Sequence, residues 1–366
     1  MVRRSKEKMV TATRPTTRTL TLNELVSRFI ESCRHISPRS GRRLSPRTLE
    51  YYQMCLDGLL YYAARNDWPE PAEITRDHLR DFMQYLAREP HRWAGDGRRN
   101  TYRQASPATV HHYLKVAATF LRWCEDEEYI AESPARRLRL PSPQYKDVSP
   151  YSDDEVKAML AALDHEIQYG YRFLGIRNKA IISVFVDTGL RLSELAGMKL
   201  SELDPQLQQV RVVGKGAQLR VVPINGQARK ALKVYLTQAR QEGGDEVWQT
   251  DGGQPLSPYG VKIMIDRLKR RAGVRSGGGA HRFRHYFATR YLEGGGDLNA
   301  LRLLLGHATL YMVLRYTKFV QIRRALDESP EFSPLDRLTR GGKGSHRDER
   351  WGWRQIDRQV DRYIHT

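Results

Sequence analysis

Cysteine is scarce in this 366-residue chain: Cys33, Cys55 and Cys124 are all there is, each in a stretch with helical apolar spacing, none in a CxxC pair or a Cys/His cluster. That excludes a disulfide scaffold and argues against a structural zinc site, leaving reduced core thiols. No run of ~18 apolar residues occurs. The basic opening MVRRSKEKMV lacks the apolar stretch of a secretion signal, so a soluble, cytoplasmic protein is expected. Also missing are a G-x-x-x-x-G-K-[ST] loop for nucleotide phosphates and the paired carboxylates of a two-metal nuclease.

What is plentiful is positive charge. Lys plus Arg outnumber Asp plus Glu 61 to 42, a formal net charge of +19. The excess is spread, with 26 basic and 18 acidic residues in the first 150 positions and 35 and 24 in the rest. Two basic halves fit two lobes that touch one polyanion, although charge alone fits a ribosome-associated or merely soluble protein as well. The length suits two domains at ~100–200 residues each.

Residues 1–20 are polar, basic and Thr-rich, and read as a flexible arm. A helical domain is expected over 21–132. Ser45-Pro46 and Ser106-Pro107 each place a capping serine before a proline at the first helical position. Val110, Tyr113, Leu114, Ala117, Phe120, Leu121 and Cys124 then fall on one helix face. The segment 89–105, with Arg92, Arg98, Arg99 and Arg103, reads as a basic loop that is either laid on phosphates or simply solvated. Four prolines in 133–150 mark a linker. A capping box, Ser152 with Glu155, opens a second domain over 151–330. Inside it, Val210, Val212 and Val213, then Gly214-Lys215-Gly216, then Leu219, Val221 and Val222 predict a β-hairpin, with helices resuming near Ser257. The fold class expected is mainly α with one small β-hairpin. In the tail, 331–366, Trp351, Trp353, Ile356, Val360 and Tyr363 form an apolar stripe on a short predicted helix.

Four patches of the second domain carry unusual side chains. Arg191 follows a glycine turn in Thr188-Gly189-Leu190-Arg191, three residues before Glu194. As a surface ion pair this would be worth under ~1 kcal/mol. Lys215 lies between two glycines at the hairpin tip, where a lysine is ordinarily solvated. His281 and Arg284 share a helix face, and Phe283 and Phe287 point elsewhere. Leu305-Gly306-His307 is followed nine residues later by Tyr316. A single helical tyrosine is usually half-buried core. The combination is what changes the reading.

Taken together, these patches resemble the tyrosine recombinase and integrase family, which includes Cre, lambda integrase and the Xer proteins. Its catalytic domain carries, in order, an arginine in T-G-x-R-x-x-E, a lysine on a β-hairpin, H-x-x-R, L-G-H, and a tyrosine nine residues on. Every element is present, over about 150–320; the helical domain resembles the family's core-binding domain by position and size only. The chain departs from the family at Phe283, where leucine is usual, and at Leu310-Tyr311-Met312-Val313, where small polar residues are usual.

The resemblance implies an active site of Arg191, Lys215, His281, Arg284, His307 and Tyr316, with Glu194 supporting Arg191. It implies DNA strands cut and rejoined through a 3′-phosphotyrosine without metal, ATP or other cofactor, in keeping with the missing nucleotide loop and paired carboxylates. It also implies inverted half-sites in duplex DNA, and a homotetramer on two paired sites, with room for accessory DNA-bending proteins. The tail stripe would dock on a neighbouring protomer. The residues leave open which histidine takes the tyrosine's proton, and His285 reads as a packing residue. Two alternatives stand beside this reading, a type IB topoisomerase-like DNA relaxation enzyme and a DNA-binding protein without chemistry.

Overall fold

Capped helix starts organise the first of two units, Met1–Lys146 and Asp147–Thr366. The computed structural model describes residues 20–37, 41, 43–93, 104–142, 149–214, 219–329, 333 and 335. Lys215, Arg98, Arg99, Arg103, the arm 1–19 and the tail stripe from Trp351 to Tyr363 lie outside them. In the first unit, Thr21 caps α1 (Leu22–His35) with Glu24 closing a capping box. Ser45 caps α2 (Pro46–Arg65), Thr75 caps α3 (Arg76–Arg88) and Ser106 caps α4 (Pro107–Asp126). Each cap satisfies an amide that the first helical turn leaves unpaired. Helix α4 packs against the other three. Phe29 sits at the centre, against the rings of Tyr52, Phe120 and Trp123.

The three cysteines are free and buried in this core, where burial pushes the Cys33 and Cys55 thiols up to about 11 and Cys124 to about 12. They are inert packing groups at neutral pH. Arg92 is neither solvated nor available to a phosphate. It is buried, and its Nη1 donates to the carbonyls of Leu86 and Glu89 at the end of α3.

The second unit opens with α5 (Asp153–Tyr169), started by the Ser152–Glu155 capping box, and α6 (Arg172–Thr188), the most buried helix of this unit. A short α7 (Leu192–Ala196) leads to the antiparallel pair β1 (Gln209–Val213) and β2 (Leu219–Pro223), in which Val210 faces Val222 and Val212 faces Arg220. Helices do not wait for Ser257 to resume: α8 (Gly226–Gln238) follows the hairpin directly and packs on α6 through Ala228, Leu232 and Tyr235. Its lysines and arginine dilute an apolar spacing that was present in the sequence. Then come α9 (Pro258–Arg271), α10 (His281–Glu293), α11 (Leu298–Leu305) and α12 (Tyr311–Glu328). The fold is mainly helical with one two-stranded sheet.

Helix α10 stands between two cores. Its Phe283 enters the large one, stacked on Phe185 and tilted against Tyr151. Its Ala288 and Leu292 join Leu301, Leu305, Val313 and Tyr316 in the smaller one, built from α10, α11 and α12. Phe287 is partly buried at the edge of that smaller core. Phe283→Ala is expected to lower unfolding stability by about 3–5 kcal/mol, whereas Phe283→Leu, closer in volume, should cost under ~1.5 kcal/mol. Urea unfolding of the two variants beside wild type checks this; equal losses would mean the ring is not packed as described.

Candidate active site

Two glycines shape the site. Gly189 ends α6 in the left-handed conformation at φ +60°, and a Cβ there would lie 2.5 Å from the Phe287 ring. Only glycine meets both demands, and the turn it makes puts Arg191 at the cap of α7. Gly306 ends α11 in the same way at φ +62° and hands the chain to His307.

The end of α11 is where the cations collect. Helix C-termini leave carbonyls without intrahelical partners, and here three successive ones are taken by three different arginines. Leu304 O accepts from Arg220 Nε at 2.9 Å, Leu305 O from Arg284 Nη2 at 2.6 Å, and Gly306 O from Arg191 Nη2 at 3.2 Å. Arg284 also donates from Nη1 to Gly189 O at 2.9 Å, the carbonyl at the end of α6.

One carboxylate balances this group. Glu194 accepts from the Arg191 backbone N–H and from Arg191 Nη1, both at 2.8 Å. It accepts a second, two-pronged pair from Arg220, at 3.0 and 2.8 Å. The Glu194 side chain is buried, so the contact is not the surface pair that the spacing alone would allow. Burial by itself would raise its pKa; the hydrogen bonds from Arg220 and Arg191 hold it down at about 2. Arg220 escaped the sequence reading. Its partner is far away in the chain, and in an alternating strand it looks like a solvent-facing residue. The available signal was Glu194, a buried carboxylate with more acceptor sites than one arginine fills.

Tyr316, on α12, is 1 % exposed. Burial pushes its phenol pKa up, and the charges of Arg284 and Arg315 with a hydrogen bond from Arg284 pull it back. His307 stacks on its ring, 6.1 Å between centroids and nearly parallel. His285 meets the same ring edge-on at 5.2 Å, and His281 meets His285 at 4.6 Å. His281 is exposed at the start of α10. The structure thus brings Arg191, Glu194, His281, Arg284, His307 and Tyr316 into one site, with Arg220 and His285 added.

The family pattern described as Phage integrase family matches residues 151–321. Tyrosine recombinase XerC 2 of Ralstonia nicotianae is 32 % identical over 326 residues, 86 % of this chain and 88 % of that protein. This chain belongs to the tyrosine recombinase family. It is a site-specific DNA recombinase of the tyrosine type. The recombinase also shares its fold with solved structures at 18 % identity. One is a lambda integrase fragment, a dimer bound to a COC′ core site, with TM-score 0.61 over 81 % of this chain and 95 % of that one. Another is a lambda integrase tetramer bound to a Holliday junction, with TM-score 0.60 over 82 % and 78 %. Among the described residues of the recombinase no helix is long and apolar enough to cross a membrane, and no group of three or more His, Cys, Asp or Glu is placed to hold a metal ion.

Burial, reinforced by neighbouring positive charge, pushes both His285 and His307 from 6.5 down to about 3. Unfolded, each would bind a proton near pH 6.5 that the folded recombinase refuses. The stabilisation is therefore complete above pH 6.5 and is lost as pH falls toward 3, by up to about 1.4 kcal/mol per pH unit for each histidine. Unfolding free energy measured in urea should fall between pH 7 and pH 5. His285→Phe should flatten that slope, and an unchanged slope would mean that His285 does not lose its proton on folding.

Proposed function

We propose that the recombinase breaks and rejoins DNA through a covalent bond from Tyr316 to the 3′ phosphate, without metal or nucleotide. The observation that carries this reading is the packing of Tyr316 against Arg284 and His307, beside an Arg191 fixed by Glu194. Tyr316 Oη would form the new P–O bond as the bond from phosphorus to the 5′ oxygen breaks. Arg191 and Arg284 would hold the two non-bridging oxygens, a task suited to planar guanidiniums that stay charged. Burial pushes the Arg284 pKa down to about 10, still well above neutrality.

Lys215, from the hairpin, would give its proton to the departing oxygen, which an arginine is ill suited to do. His281 and His307 share the remaining work, one taking the phenol proton and the other donating a hydrogen bond to the phosphate. Energy of the broken bond is kept in the phosphotyrosine for rejoining. With Tyr316 buried and both Arg284 terminal nitrogens engaged by carbonyls, α12 must shift on DNA binding to present the hydroxyl.

The partner is duplex DNA with inverted half-sites, bound in the cytoplasm by one protomer per half-site and paired as a homotetramer. The basic residues in both halves and the DNA-bound dimer and tetramer of lambda integrase support it. Residues 21–132 would serve as the core-binding domain, 133–150 as linker and 151–330 as the catalytic domain. The tail 331–366 would dock on a neighbouring protomer. Deleting residues 341–366 should then impair coordinated strand exchange, and full recombination by the shortened protein would refute the docking.

The test of the chemistry uses sheared, partly nicked DNA from the source of the protein. Wild type should give SDS-resistant protein–DNA adducts whose DNA ends cluster at one site; Tyr316→Phe should give none. Adducts that persist in the variant would exclude Tyr316 as nucleophile. Joint molecules between two such sites fit recombination, and sequence-independent change of linking number alone would instead fit a topoisomerase.

A further inference from the structure

We infer that Arg220 is a positioning residue for the strand-breaking step, acting through Arg191 and the turn that carries His307; the inference rests on the chemistry proposed above. Arg220 lies on β2, opposite Val212 of β1, and its guanidinium is nearly buried. It spends its donors in three directions. Nη1 and Nη2 grip both oxygens of Glu194, and Nε holds Leu304 O, the first of the three α11 carbonyls that anchor arginines. One planar group therefore ties the hairpin strand, the carboxylate that orients Arg191, and the end of the helix before His307.

Two further observations give this role to Arg220 rather than to packing in general. Each Glu194 oxygen is shared between Arg220 and Arg191: Oε1 receives both Nη1 atoms, and Oε2 receives Arg220 Nη2 and the Arg191 backbone N–H. Any displacement of Arg220 thus moves the atoms that hold Arg191. The second is Gly306, where a Cβ would lie 3.1 Å from Arg220 Nη1, tighter than ordinary contact. A side chain on the turn before His307 would press on Arg220, so the bare glycine leaves the guanidinium its place. Lysine cannot replace it, since an ammonium is a point charge without a fork to span Glu194 and reach Leu304 O together.

The experiment compares full-length wild type with Arg220→Met and Arg220→Lys on nicked duplexes carrying the site recovered from the adducts. One duplex has an ordinary phosphodiester at the cleaved position; the other has an uncharged methylphosphonate there. Single-turnover strand breakage, DNA binding and thermal melting are measured for each protein. If Arg220 acts by placing Arg191 against a charged oxygen, Arg220→Met slows the phosphodiester by about 10- to 100-fold. It should slow the methylphosphonate far less, with DNA affinity nearly unchanged, and Arg220→Lys should recover only part of the rate. An equal loss on both duplexes means a merely structural role and overturns the inference, as does wild-type breakage by Arg220→Met. Should Arg220→Met fail to fold, the same ratio between the two duplexes is read from Arg220→Lys. Failure of wild type to break either duplex would instead overturn the phosphotyrosine reading and this inference with it.

Discussion

Three guanidinium groups gathered around one helix end are the constraint on which the site depends. Like charges at such range repel, and burial makes the repulsion harder to screen. The fold answers with Glu194 and with the negative pole of α11, whose last carbonyls each take one arginine. A helix C-terminus carries about half a negative charge, spread over unpaired carbonyls that also accept hydrogen bonds. Both terms matter. The carbonyls anchor each arginine singly, and the carboxylate is what joins Arg220 to Arg191 and cancels one of the three charges.

This explains why α6 and α11 both end in glycine. Gly189 and Gly306 stop α6 and α11 in left-handed turns, so that α6 and α11 each offer a carbonyl end to the same small volume. Helix α10 then fixes the depth of Arg284. Because Phe283 and Ala288 are locked into separate cores, the residues between them have nowhere to slide, and Arg284 and His285 are held under the surface. Arg284 and Tyr316 thus sit within helices, and Arg191 and His307 on turns fixed by glycine at helix ends, a precision suited to the proposed phosphoryl transfer.

Much of this was legible in the sequence, for reasons that differ by residue. Serine caps marked the starts of α2, α4 and α5, and valine alternation around Gly214-Lys215-Gly216 marked the hairpin. Arg191, His281, Arg284, His307 and Tyr316 stood out because their spacing matched a known order. What stayed hidden was pairwise and long-range. Arg220 owes its place to Glu194 and Leu304, neither near it in sequence, and Arg92 turned inward to the end of α3 although it sits in a basic run. Helix α8 was hidden for a local reason, since its buried stripe of Ala228, Leu232 and Tyr235 is thin and flanked by cations. His285 read as packing and is wholly buried, but its edge-on contact with Tyr316 could not be read from spacing.

The charge balance of the resting site bears on the proposed chemistry of the buried Tyr316. Arg191, Arg220 and Arg284 bring three positive charges and Glu194 one negative, while His285 and His307 are held neutral. Those four groups leave a surplus of two positive charges, to which Arg315, exposed on α12 and so screened by solvent, adds; dipoles offset it only in part. In the proposed reaction a phosphodiester brings one negative charge and the ionising phenol of Tyr316 a second, so the surplus is matched most fully when attack is under way. The site would then favour the transition state over the bound substrate, the condition for catalysis rather than for tight binding. In the resting site the Tyr316 ring is buried, and the charge of Arg284 lowers its phenol pKa against the effect of that burial. In the proposed reaction an arriving phosphate, a stronger acceptor than a phenol, would take the place beside Arg284 and leave the Tyr316 hydroxyl to turn toward phosphorus.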